Sequence, residues 1–92
     1  MIATIQIGNS DDKLSQREWS LYVSSIDKAI TAQALTTHFF ASSEGSKPWQ
    51  NACWVAAVRE AEVEFLFDDL KKIRKKYKQH SVAVVLGDVR MI

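Results

Sequence analysis

The spacing of apolar residues predicts an α+β fold with the order strand–helix–strand–strand–helix–strand. Three observations carry it: period-two alternation at the start, two long stretches with apolar residues at three- and four-residue spacing, and two β-branched, aromatic segments on either side of a Ser/Gly/Pro-rich turn.

In residues 2–7, Ala3, Ile5 and Ile7 alternate with Thr4 and Gln6, as in a strand with one buried face, and Gly8 and Asn9 end it. Ser15 followed by Glu18 forms a capping-box pattern. Behind it Trp19, Tyr22, Val23, Ile26 and Ile30 make the apolar stripe of an amphipathic helix. Residues 35–41 and 52–58 favour strands, and SSEGSKP between them reads as a long hairpin loop. Over residues 61–78, Val63, Leu66, Leu70, Ile73 and Tyr77 share a helical face and charge fills the rest. The run Val82 to Leu86 ahead of Gly87 predicts a last strand covered on at least part of both faces. This order matches a ferredoxin-like βαββαβ arrangement: a four-stranded antiparallel sheet with two helices on one face, in a single domain over residues 1–92.

A chain of 92 residues with 47% hydrophobic and 25% charged residues has the composition of a folded domain with one core. A formal net charge of +1 gives no whole-molecule attraction for nucleic acid or anionic lipid. The third strand, NACWVAAV, lacks the basic and glycine–aromatic pattern of RNA-binding modules on this fold, so no nucleic acid partner is expected. Cys53 is the sole cysteine, which fits a reducing compartment. With no signal-peptide pattern and no apolar run of about 20 residues, the expected location is cytoplasmic and off the membrane.

Chain direction predicts where a site would lie. Two crossovers bring the loop of Asn9 to Lys13, the hairpin loop of residues 42–51 and the connection Gln79–His80–Ser81 to one end of the sheet. The first helix starts there with free N–H groups, an arrangement able to hold an anion. The second helix ends there with Lys71, Lys72, Arg74, Lys75, Lys76 and Lys78, while Asp11, Asp12 and Glu44 oppose them. Trp49, and with it Trp54, offers a ring for stacking. The expected ligand contacts are Asn9, Asp11, Lys13, Trp49, Gln50, Asn51, Gln79 and His80, holding an anionic or nucleotide-like small molecule without catalysis.

The bland reading of each group stands beside this one. Acids in the first half of the second helix and bases in its second half complement the helix dipole with no ligand at all. Cys53 reads as a packing residue, and Asp11 and Asp12 read as turn and capping residues. His38, His80 and Cys53 lack the spacing of a zinc site, and no P-loop, GxGxxG, GxSxG or HExxH pattern occurs, so no cofactor, metal or catalytic residue is assigned. Two alternatives remain: a protein-interaction or inhibitor module, and a small enzyme with His38 or His80 as general base. Phe39 or Phe40 must face outward from the uncovered side of the sheet, which predicts a homodimer or higher oligomer through that face or through an edge strand.

The segments IGNSDDKLSQREW (residues 7–19) and PWQNACWV (48–55), with KQHSVA near the end, resemble a family of small uncharacterised proteins of bacteria and their phages. The resemblance covers roughly half the chain and implies no activity or catalytic residue. Its phage membership implies a host-modulating role, such as sequestering a nucleotide signal or blocking a host protein.

Overall fold

The computed structural model describes residues 1–44 and 47–92. Gly45 and Ser46 of the expected hairpin turn lie outside the described residues. Strand β1 (Ile2–Gly8) leads into a 3-10 turn at Ser10–Asp12 and then helix α1 (Gln16–Gln33). Strands β2 (Ala34–Ser42) and β3 (Asn51–Val58) follow. A second 3-10 turn, Glu60–Glu62, precedes helix α2 (Val63–Lys76), and strand β4 (Ala83–Gly87) comes last. The sheet order is β2-β3-β1-β4 with every neighbouring pair antiparallel, the ferredoxin-like arrangement. No helix among the described residues is long and apolar enough to cross a membrane.

Each helix covers the same face because the alternating residues of the inner strands supply a continuous apolar floor. Ala3, Ile5 and Ile7 of β1 and Ala52, Trp54, Ala56 and Val58 of β3 are buried beneath Trp19, Tyr22, Ile26 and Ile30 of α1 and Val63, Leu66 and Leu70 of α2. The capping box fixes the start of α1. The Ser15 N–H donates to Glu18 Oε1 at 2.9 Å and the Glu18 N–H donates to Ser15 Oγ at 3.1 Å. These bonds also hold the Glu18 carboxyl below its ordinary pKa, the backbone donor contributing most.

Register settles the faces that alternation alone leaves open. Ile5 pairs with Trp54 and Trp54 with Phe40, so these lie on the helix side. There the Trp54 indole N–H donates to Asp27 of α1 at 2.9 Å and its ring meets Phe40 at 5.0 Å. Trp54 is thus a core residue, not a stacking platform. Phe39 is the outward phenylalanine, on a row with Val55, Thr4 and Val85. The expected double cover of the last strand is not found. β4 is an edge strand, exposed along most of its length.

Candidate functional site

The connections after β1, β2 and α2 meet at one end of the sheet, and side-chain amides tie them together. Asn9 closes its own loop: its Oδ1 accepts from the Leu14 N–H at 2.9 Å and its Nδ2 donates to the Leu14 carbonyl at 2.9 Å. The same Nδ2 donates to Gln50 Oε1 at 3.0 Å, and the Asn9 backbone N–H donates to the Gln50 carbonyl at 2.8 Å, joining the first loop to the hairpin loop. Gln79 joins the first loop to the third. Its Oε1 accepts from the Ser10 N–H at 2.7 Å, and its Nε2 donates to the Tyr77 carbonyl at 3.0 Å. Two further bonds strengthen that seam, from the His80 N–H to Ser10 Oγ at 3.3 Å and from Lys13 Nζ to the Lys78 carbonyl at 3.3 Å.

This wiring divides the expected contacts into two groups. Asn9, Gln50 and Gln79 are buried, 3–4% exposed, and act as the fasteners of the rim. Asp11, Lys13, Trp49, Asn51 and His80 remain on its surface. Asp11 and His80 stand 3.5 Å apart and largely in solvent, which makes them a loose surface pair. The N–H groups of Ser15 and Glu18 at the start of α1 are taken by the capping box, so the anion site expected there has its own carboxylate in place. Dipole complementation accounts for the base-rich last turn of α2. Within it Arg74 bonds the Gln79 and His80 carbonyls through Nη1, at 3.1 and 3.4 Å.

The rim concentrates backbone strain. Asp11, Asp12, Trp49 and Lys78 are the described non-glycine residues with positive φ, between 53° and 59°, and all lie in these connections. Asp tolerates this region. For a bulky residue such as Trp49 it is an outlier, and such outliers cluster at functional sites. The Trp49 indole stands 70% exposed, and its carbonyl accepts from Asn51 Nδ2 at 3.2 Å. Asn51 in turn lines a depression of about 300 Å³ at the rim end of the open sheet face, with Gln6, Gly8, Cys53 and Ser81. Among the described residues no charged side chain lines it. Gln6 and Cys53 are members that sequence reasoning did not assign to the site, and Ser81 is one that it placed in a converging connection without counting it as a contact. The signal available was the outward alternation of Gln6 and Cys53 at strand ends next to the rim.

Chemically the depression offers two amides, a hydroxyl and a thiol, and no acid–base pair. Cys53 Sγ contacts the Trp54 carbonyl at 3.9 Å, and its neighbour across the sheet is Ala41, with His38 displaced to the irregular stretch of β2 between Thr37 and Phe39. Among the described residues no group of three or more His, Cys, Asp and Glu side chains is placed to hold a metal. No family model matches this chain, and no curated protein matches it.

Proposed function

We propose that the chain is a non-catalytic binding module that holds a planar, nucleobase-bearing small molecule where the rim meets the open sheet face. The supporting observation is Trp49: a large apolar ring kept in solvent on a left-handed backbone, its carbonyl bonded to Asn51, which with Gln6 and Ser81 lines the depression. An amide carries donor and acceptor side by side, which matches the edge of a base, and an indole face stacks on its ring. The uncharged lining favours recognition of the ring over the phosphate.

Calorimetry against nucleosides, nucleotides and cyclic dinucleotides tests this, with acrylamide quenching as a second readout because Trp19 and Trp54 are buried and Trp49 is the accessible indole. One ligand class is expected to bind and to shield Trp49 from quencher. Trp49→Ala is expected to weaken binding by about 5- to 100-fold, the range of a lost stacking contact. No heat from any member of the panel, with Trp49 equally quenched throughout, would end the proposal.

A further inference from the structure

The sheet has two edges, and they are built differently. β2 pairs with β3 through two register shifts, between Ala34 and Thr36 and between Thr37 and Phe39, and such irregularities twist an edge away from further pairing. β4 pairs with β1 in unbroken register from Ala83 to Gly87 and contains neither proline nor charge. Among the described residues its outer backbone groups have no strand partner. Beside this edge lies a groove of about 380 Å³ between β4 and α2, with Phe67, Leu70, Val82 and Val84 forming its apolar part. The α2 wall of the groove presents, in chain order, Glu64, Asp68, Lys71 and Arg74.

We propose that β4 is the interface of a two-fold symmetric homodimer in which two copies of β4 pair antiparallel into one continuous sheet. The argument is charge complementarity. A two-fold axis perpendicular to the sheet, crossing the seam level with the middle of α2, reverses α2 of the partner relative to the first copy. Glu64 is then set across from Arg74 of the other copy, and Asp68 across from Lys71. The first pair is centred on Asp69 and the second between Asp69 and Leu70, so one symmetry operation at that level serves both. A second copy therefore supplies the complement of a wall that is acidic at one end and basic at the other. The arrangement covers the edge that carries Val85, 68% exposed, and it merges the two grooves into a seam to which Phe67, Val82 and Val84 contribute from both sides. Arg74 has donors to spare for this, since its bonds to the Gln79 and His80 carbonyls use Nη1 alone of its three nitrogens. The interface borders the rim at Arg74 and Ala83 but does not depend on a ligand there.

Sedimentation of the full chain across the micromolar range is expected to show a species of twice 10.4 kDa. Asp68→Lys and Lys71→Glu change exposed helix positions, so both variants keep the fold, which circular dichroism checks. Each alone places like charges across the axis and is expected to weaken self-association by about tenfold or more. Mixed one to one, the two variants carry opposite charges at the facing positions, and dimer formation is expected to return to the wild-type level. A wild-type chain that stays at 10.4 kDa overturns the proposal. So does a wild-type dimer that both single variants leave intact, which would assign association to the open face or to β2.

Discussion

Asn9 and Tyr22 are both buried polar side chains, but the molecule treats them in opposite ways. At the rim, each polar atom of Asn9 has a partner, and those partners belong to two different loops. Between the helices, the Tyr22 hydroxyl is buried with no hydrogen-bond partner among the described residues, although its ring is well packed, meeting Trp19 edge-on at 6.0 Å and Tyr77 at 5.2 Å. The difference follows from what each region must do. Loops have no ladder to satisfy their backbone, so side-chain amides must do it. A helix interface has its backbone already paired and gains most of its stability from buried ring area. The rim is therefore specified by hydrogen bonds, and the core by packing that accepts one unpaired hydroxyl.

If that contrast is right, Asn9→Ala produces the largest loss. It strands the N–H and carbonyl of Leu14, itself buried, and removes the amide bond from Asn9 to the hairpin loop. With each buried unsatisfied group costing about 1–3 kcal/mol before relaxation, the expected destabilisation is about 2–4 kcal/mol in urea unfolding, at an unchanged slope. Hydrogen exchange at Leu14 should accelerate alongside it. A loss under about 0.5 kcal/mol, the level of an ordinary surface change, would mean that water replaces the amide and that the rim is not held as described.

The same contrast explains which parts of the molecule were legible from its sequence. The element order, the capping box and the helix faces follow from local spacing, and local spacing is what a sequence displays. The convergence of the loops followed from chain direction alone. The inward turn of Asn9, Gln50 and Gln79 could not be read this way, because their bonds span 41 residues from Asn9 to Gln50 and 69 from Ser10 to Gln79. In a list of loop residues, an amide that fastens a loop looks the same as one that contacts a ligand. Trp54 was ambiguous for a different reason. Ala52, Trp54, Ala56 and Val58 alternate with Cys53, Val55 and Ala57, so both faces of β3 are apolar and no polarity contrast says which one the helices cover. The run at β4 looked buried on both faces because its apolar composition suits an interface as well as a core.

Tyr22 gives the next effect in size, and it is visible only in alkali. Burial pushes its phenol up to about 12, with Arg74 pulling weakly the other way. An unfolded tyrosine titrates near 10. Between those values the unfolded chain loses the proton that the folded chain keeps. Stability that is full below about pH 10 is therefore lost as pH rises toward 12, by up to about 2 kcal/mol. Tyr22→Phe removes the group, so the difference in stability between wild type and variant should grow across that window in the variant's favour. At neutral pH the variant should match or slightly exceed the wild type, because no partner is left unpaired. A variant less stable than wild type at pH 7 would show that the hydroxyl does have a partner and that the two regions are alike.

Lys78 supplies the smallest effect and the finest test of the rim. The last turn of α2 ends in a Schellman motif, with the Gln79 N–H donating to the Arg74 carbonyl at 3.0 Å and the Lys78 N–H to the Lys75 carbonyl at 3.1 Å. That motif requires a left-handed residue at Lys78, whose φ is 55°, a position where glycine avoids the clash of a Cβ. Lys78→Gly keeps the carbonyl that accepts from Lys13, and the side chain it removes is exposed. Relief of strain outweighs the entropy that glycine adds to the unfolded chain, so the expected gain is about 0.5–1 kcal/mol, or roughly 2–6 °C in Tm. The result bears directly on Trp49, which occupies the same backbone region at φ 59° without a helix end to require it. If Lys78→Gly gains nothing, a left-handed backbone carries no measurable cost at this rim, and strain at Trp49 ceases to be a reason for assigning that residue a function.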